Sequence, residues 1–335
     1  MLENTVHIVD WLLAIPGFSG QYLFLARWQY LAVGLLLLPV ILFAQPVMSS
    51  GRRYFVAICL LPALFFAVLP MLTAGGISLY MFSVGQGESL LLTNDAQQAL
   101  LVDGGGLYSD RFDVGKRLLA PALGELGIHH LSAVLLTHDH PDHRKGLIFI
   151  LRHFPVDEFW SGIAFAELHP QLQAVLREKA IPVRRFPAGW SEINSWSRTP
   201  LQLFRGPDRI SKNDSSLVLY LPDPLGGLLL TGDLEKKGVG RLLAAGLPGP
   251  VSLLKLPHHG SRHSDTEHLI DRLQPQSCLV SAGYQNRYGL PARQLVNYLK
   301  QQCIPLYRTD IVGTIRVRKL ADHWQIDTWQ RGLFR

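Results

Sequence analysis

Between the apolar run "AVLLT" and Gly146, the chain places three histidines and two aspartates in six consecutive positions, His138-Asp139-His140-Pro141-Asp142-His143. No other stretch constrains the fold as much, because a strand ending in this string must gather polar side chains at one point beyond its carboxyl end. Side chains two apart on extended backbone point the same way, so His138 and His140 project together. A helix from about His143 to His153 follows, with Asp142 and His143 at its start. Imidazole and carboxylate suit zinc, manganese or iron, and these four ligands can serve two divalent metals rather than one. Two metals about 3.5–4 Å apart activate a bridging water and stabilise both attacking and leaving oxygens, which is hydrolysis chemistry. The alternative is a solvated polar loop, which needs none of these side chains.

A dinuclear centre requires further ligands. "LLLTGDLE" ends an apolar strand in Thr231-Gly232-Asp233, and "LLKLPHHGS" ends another in His258 and His259. Both repeat the layout of the first motif. An aspartate at a strand end is by itself more often a helix cap, here for "LEKKGVGRLL", and it is the histidine string that makes Asp233 a metal ligand.

From Gly76 onward short strands alternate with turns and helices. "ISLYMFSV", "ESLLLTN" and "QALLVDGGG" read as three strands joined by tight turns, the antiparallel start of a sheet. "FDVGKRLLAPALGELG" reads as a helix, followed by the strand "HHLSAVLLT". Further strands are expected near 158–160, 201–205, 216–221, 228–232, in "VSLLKL" and "SCLVSAG", and in "TIRVRK" and "HWQIDTW". Helices are expected over 234–245, 266–273 and 292–302. Such a mixture gives two sheet layers with helices outside.

The hydrophobic fraction of 48% is high for an ordinary soluble chain, and the excess is concentrated between Trp28 and Leu72. "WQYLAVGLLLLPVILFAQPV" (28–47) and "YFVAICLLPALFFAVLPML" (54–72) carry no charge, and each approaches the ~20 residues that cross a bilayer as a helix. They are expected to form a transmembrane hairpin. Arg52 and Arg53 in the connecting loop place that loop in the cytoplasm and both flanks outside. "VHIVDWLLAIPGFSGQYLFLA", broken by Pro16, Gly17 and Gly20, reads as an interfacial or re-entrant piece. The expected domains are therefore a membrane segment over 1–75 and a hydrolase domain over 76–335, and the apolar start resembles the tail of a larger membrane protein. The net charge of +6 and a pI near 9.3 suit contact with a polyanion or an anionic lipid surface. Cys59, Cys278 and Cys303 show no zinc-binding spacing and are expected to be buried free thiols.

Together these motifs resemble the metallo-β-lactamase superfamily, in which an HxHxDH loop, a later bridging aspartate and a final histidine build a metal centre at the edge of an αββα sandwich. More narrowly, "MFSVGQGESLLL", "LVDGGG", "NDSSLVLYL", "LLLTGDLE", "LLKLPHHGS", "NRYGLP" and "YRTDIVGTI" resemble, in order, the C-terminal domain of ComEC-type competence proteins, membrane proteins that carry transforming DNA across the cytoplasmic membrane. The resemblance spans roughly Leu79 to Arg318. It implies two divalent metals, zinc or manganese, with His138 and His140 on the first, Asp142, His143 and one of His258 and His259 on the second, and Asp233 bridging. His259, directly before a glycine, is favoured. It further implies DNA, membrane lipid and an uptake channel subunit as partners, and the cytoplasmic membrane as location; the charges of the loop at Arg52 and Arg53 put the catalytic domain on its outer side.

Three departures from the family pattern stand out. Ser83 replaces an aspartate before "VGQG", Leu290 replaces the histidine of "NRYGHP", and the large multi-helix channel region of the family is not among these residues. Separately, the third histidine that many superfamily members supply is not evident. Only His153 and His169 lie in that interval, and both read as surface helix residues. "NDSS" takes the place, with Asn213 or Asp214 as a substrate or weak metal contact, or else as a turn before a strand. Gly85-Gln86-Gly87 reads as an anion-binding turn or a plain hairpin, and Asp103 as a buried acid behind the site or a structural turn. Lys255, Ser261, Arg262, Asn286, Arg287 and Tyr288 are candidate contacts to phosphate and bases, or ordinary surface polar groups.

Three functions fit these residues. The first is a membrane-anchored, metal-dependent phosphodiesterase acting on DNA during uptake, with Asp142, His143 and Asp233 at the reacting centre. The second keeps the metals and changes the substrate to a small ester or lactone. The third is a non-catalytic DNA-binding assembly module of an uptake channel.

Overall fold

The computed structural model describes residues 76–106, 111–194, 196, 200–207 and 211–328. The expected transmembrane hairpin and the piece before it lie outside the described residues. Among the described residues no helix is long and apolar enough to cross a membrane.

Three strands come first, β1 (Ser78–Met81), β2 (Leu90–Thr93) and β3 (Ala99–Val102). A π-helical turn, Gly115–Leu119, runs into α1 (Ala120–Glu125), then β4 (Ala133–Leu136) and α2 (Pro141–His153). β5 (Phe159–Ser161), α3 (Pro170–Glu178), β6 (Val183–Arg185), β7 (Gly189–Ile193) and β8 (Leu201–Arg205) follow. Next come β9 (Val218–Leu221), β10 (Gly227–Leu230), α4 (Lys236–Ala245), β11 (Val251–Lys255), α5 (Thr266–Leu273) and β12 (Ser277–Val280). The last elements are α6 (Arg293–Gln301), β13 (Leu306–Arg308), the short α7 (Thr309–Val312), β14 (Ile315–Lys319) and β15 (Trp324–Thr328).

The strands form an eight-stranded sheet, β15-β14-β1-β2-β3-β4-β5-β6, and a seven-stranded sheet, β13-β12-β11-β10-β9-β8-β7. Strict alternation explains how the two sheets pack. Leu79, Met81, Leu90, Leu92, Leu100, Val102 and Leu135 face inward and meet Leu203, Leu219, Leu228, Leu230 and Leu253 of the other sheet. Their neighbours Tyr80, Leu91, Leu101 and Val134 face outward, onto Leu123, Leu147, Ile150 and Leu172 of α1, α2 and α3. On the far side Val218, Leu229, Leu254 and Cys278 pack on Val239, Leu242, Leu269 and Leu295 of α4, α5 and α6. The result is an αββα sandwich, as expected. Each buried leucine is worth roughly 2 kcal/mol, so a one-residue register slip, which exchanges the two faces, is strongly disfavoured.

Two expectations need correction. Cys278 lies in the core, where burial pushes its thiol up to about 12, but Cys303, just past the end of α6, is exposed. The sequence pattern also omitted α3, β6, β7 and β13. β6 and β13 are three-residue strands at the margins of the sheets, and β6 carries two exposed arginines.

The topology brings a set of carboxyl ends to one edge. β3 and β4 run parallel in one sheet, and β10, β11 and β12 run parallel in the other. Residues within four positions of these strand ends, Asp103, Thr137-His138, Asp233, His258-His259 and Ser281, lie at that edge. Crevices outside the carboxyl ends of parallel strands are where α/β folds gather polar groups.

Candidate metal centre

The string after β4 divides by role. His138, fully buried, leaves the strand end, and His140 is the last extended residue before Pro141 opens α2. Their rings lie 4.6 Å apart, and His138 and His143 lie 4.3 Å apart. Asp139 turns away, as alternation requires. It pairs with Arg144 and accepts the His169 N–H at 2.7 Å. His169 itself caps α3, accepting the Gln171 N–H on Nδ1 at 3.3 Å, so neither residue enters the cluster.

The first turn of α2 is clamped by the glycine-rich turns after β1 and β3. The Glu88 N–H donates to the Asp142 carbonyl at 3.2 Å, and the Gly104 N–H donates to the His143 carbonyl at 2.6 Å. Backbones this close leave no room for a side chain. A Cβ on Gly87 (φ +133°) would stand 2.4 Å from the Asp142 carbonyl oxygen, and one on Gly106 (φ +152°) 2.2 Å from that of Pro141. The turn Gly85-Gln86-Gly87 thus has a structural task that the sequence left open.

His143 is held from both sides. Its Nδ1 lies 2.7 Å from Asp103 Oδ2, and its Nε2 lies 3.2 Å from Asp233 Oδ2. Asp103, fully buried with φ +57°, also accepts the Thr137 N–H (2.8 Å) and the Thr137 hydroxyl (2.6 Å). It is therefore a buried acid that fixes one ring edge and leaves the other facing the cluster, the arrangement of metal-ligating histidines. Asp233 follows Gly232 (φ +53°), and its N–H donates to Ser216 Oγ at 3.1 Å.

Of the histidine pair, His259 is the inner member. It is buried, its Nδ1 is 3.0 Å from the Ser281 carbonyl, and its Nε2 points to Asp233 Oδ2 (3.4 Å) and Asp142 Oδ2 (3.9 Å). His258 is partly exposed, with Nε2 3.9 Å from Asp233 Oδ2 and Nδ1 3.5 Å from Glu235. Ligand atoms of His138, His143 and Asp233 lie within 4.8 Å of one another, as do those of Asp142, His143 and His259, and those of Glu88, Asp233 and His259. A metal fits this donor set on a further ground. His138 Nε2 and His259 Nε2 are buried without hydrogen-bond partners among the described residues, a costly condition for polar atoms that a cation relieves.

The charges are arranged accordingly. Burial, reinforced by the charge of His143, holds the His138 imidazole well below the usual histidine range, and burial likewise lowers His140 and His258. Burial also opposes a charge on His143, but Asp233 and Asp103 outweigh it and raise that imidazole well above the usual range. His259 is raised by Asp233 in the same way, against its own burial. Asp233 is buried too, yet His259 and His143 hold its carboxyl well below the usual carboxylate range.

The candidate substrate contacts fare differently. Lys255 is fully buried beneath the cluster, paired with Glu88, and its ammonium donates to the Gly232 carbonyl at 2.8 Å. It faces no solvent, so the expected contact with a substrate phosphate is withdrawn. Asp214 caps α4, accepting the Glu235 N–H (3.1 Å) and the Gly238 N–H (2.7 Å), which removes it as a metal contact and explains why Asp233 need not cap that helix. Asn213 donates to Glu235 at 2.8 Å. Asn286 spends its amide on its own loop, bonding the Gly283 and Leu290 backbone. Ser261 is buried and accepts the His263 N–H at 3.2 Å. Arg287 stays at the surface, 4.9 Å over the Tyr288 ring. Thr137, Ser216 and Ser281 were not anticipated, although Thr137 follows the strand that leads into His138, and Ser216 and Ser281 lie beside the ends of β9 and β12.

The metallo-β-lactamase superfamily profile matches residues 83–280. The chain is 32% identical over 269 residues to ComE operon protein 3 of Bacillus subtilis (strain 168), covering 75% of this chain and 34% of that protein. It is 27% identical over 239 residues to competence protein ComA of Neisseria gonorrhoeae, covering 70% of this chain and 31% of that protein. The chain thus spans about a third of the length of these curated relatives. Among solved structures, Tm1679, described as a metal-dependent hydrolase of the β-lactamase superfamily, aligns with 14% identity and a TM-score of 0.47, covering 69% of this chain and 95% of that one.

Proposed function

The chain belongs to the metallo-β-lactamase superfamily, and on that premise we propose that it is a metal-dependent phosphodiesterase that cleaves DNA during uptake. The observation that carries the hydrolase reading is the buried gathering of His138, His143, Asp233 and His259, in which His138 Nε2 and His259 Nε2 have no hydrogen-bond partners among the described residues. His138 and His140 would hold one divalent ion, zinc or manganese, and Asp142, His143 and His259 a second, with Asp233 between them and His258 at the rim. Bound divalent ions supply Lewis acidity at a phosphoryl oxygen and lower the pKa of the attacking water.

The protein groups have distinct tasks. Asp103 and Ser281 fix the ring orientations of His143 and His259. Asp142, whose side chain is 22% exposed, is the carboxylate of the cluster that reaches solvent, and it passes the proton lost on water attack to the bulk. The similarity to ComE operon protein 3 and competence protein ComA supports DNA as substrate, and the basic balance of the chain agrees with it. On this reading residues 1–75 anchor the domain 76–335 to the cytoplasmic membrane by the hairpin 28–47 and 54–72, with the site on the outer side and a channel subunit as neighbour.

The test incubates the full chain, stripped by chelator and then loaded with zinc or manganese, with single-stranded and duplex DNA and with a lactone and a small phosphodiester. DNA cleavage that disappears on stripping and returns on loading is expected. Lactone turnover without DNA cleavage overturns the substrate assignment. Full metal loading with no hydrolysis of any substrate leaves the assembly-module reading.

A further inference from the structure

Asp233 presents its two carboxylate oxygens to different surroundings. Oδ2 faces the imidazoles, 3.2 Å from His143 Nε2 and 3.4 Å from His259 Nε2. Oδ1 faces the other way, 3.8 Å from the Lys255 ammonium. The terminal torsion of an aspartate is broad, so the side chain alone does not fix the plane of its carboxylate. Something outside it must, and Lys255 is placed to do so.

Lys255 ends β11, is fully buried, and donates from Nζ to the carbonyl of Gly232 at 2.8 Å, one residue before Asp233. Its counter-charge is Glu88, also fully buried. The Glu88 backbone belongs to the other half of the site. Its N–H donates to the Asp142 carbonyl at 3.2 Å, and its carbonyl accepts the Gly105 N–H at 2.7 Å. The pair therefore joins the turn that clamps the HxHxDH helix, in one sheet, to the turn that carries Asp233, in the other. Burying two charges costs several kcal/mol per ion before pairing, and well-packed apolar residues would serve stability as well or better. An ion pair kept at this position points to a use in the site.

Resting on the reading that Asp233 holds metal, we propose that Lys255, backed by Glu88, is a positioning residue. It fixes the turn and the plane of the Asp233 carboxylate, one oxygen toward the ammonium and the other toward the imidazoles of the metal centre.

The test is a cycle of zinc affinities, measured on the metal-free full chain by competition with a chelator. Four proteins are compared: the parent, Glu88→Gln/Lys255→Met, Asp233→Asn and their combination. The double variant removes both charges and so leaves no buried ion unpaired. Removing groups that orient a ligand costs about tenfold or more in metal affinity, so the double variant should bind zinc at least tenfold more weakly than the parent. On the Asp233→Asn background the same pair of changes should cost nothing further. A folded double variant that binds zinc like the parent overturns the proposal, as does an equal loss on both backgrounds. Where circular dichroism shows the double variant unfolded, Glu88→Gln alone decides. It keeps the lysine and an oxygen acceptor but frees the ammonium toward Asp233, and should weaken zinc at least threefold with Asp233 present and less with asparagine. An unchanged affinity overturns the proposal. A parent that takes up no zinc refutes the metal centre itself, whereas a binding parent with unaffected variants refutes only the role of Lys255.

Discussion

A ligating imidazole must be neutral, and the four inner histidines meet that condition unequally. His138 and His140 are held below the usual range, chiefly by burial, so they are already free of protons at neutral pH. His143 and His259 are held above it by Asp233, with Asp103 adding to the effect on His143, so in the metal-free chain both keep protons past the usual histidine range, His143 the more strongly. The sign follows directly. Metal displaces those protons, so affinity rises with pH through the raised values, by about tenfold per pH unit for each proton released. Zinc binding at pH 7 should therefore release protons, read by titration calorimetry in buffers of different ionisation enthalpy, and affinity at pH 8 should exceed that at pH 6. Asp103→Asn removes one of the charges that hold the His143 proton, and the proton release at pH 7 should shrink. A pH-independent affinity with no proton release would contradict this account of the cluster.

At the level of elements, the site depends on backbones packed too closely for side chains. Gly85 and Gly87 both adopt positive φ (+82° and +133°), but a Cβ on Gly85 meets nothing within 4 Å, whereas one on Gly87 meets the carbonyl of a ligand residue. Gly85→Ala should therefore cost only the conformational penalty, about 1 kcal/mol. Gly87→Ala must also shift the first turn of α2, and should cost on the order of 3 kcal/mol and lower bound metal as well. Thermal unfolding and metal analysis of the two variants check the contrast, and equal behaviour would remove the clamp from the argument. The same elements show what was legible in the sequence. Apolar runs ending in His138, Asp233 and His259 announced both the strands and the edge where they meet, because alternation and strand ends are local properties. Lys255 was misread for the opposite reason. Its partner Glu88 lies far away in the sequence and in the other sheet, and nothing local distinguishes a buried lysine from one at a strand tip facing solvent. Asp214 was likewise indistinguishable from a ligand until α4 was seen to start on it. β6 was invisible because a strand at the margin of a sheet can carry Arg184 and Arg185 without an apolar face.

For the whole molecule, the open choice is between a polyanionic and a small neutral substrate, and charge decides it experimentally. The chain carries a net +6 and matches competence proteins over about a third of their length, so the reading as a DNA-cleaving domain concerns this part of such an assembly. Binding that neutralises phosphates releases condensed counterions, and its constant falls with salt by a power close to the number of contacts. Engagement of about three phosphates would weaken binding roughly 20- to 40-fold between 50 and 200 mM salt, the smaller figure for a single strand. Turnover of a lactone involves no such release and should be nearly flat over the same range. The measurement is the affinity of the metal-loaded chain for a fluorescent oligonucleotide across that salt series, with small-ester turnover run in parallel. Zinc content is determined at each salt concentration, so that loss of the ion is not mistaken for loss of DNA. A steep fall in DNA affinity beside constant ester turnover and constant zinc assigns the chain a polyanionic substrate. A DNA affinity as insensitive to salt as the ester reaction would move the chain to the small-substrate branch of its superfamily.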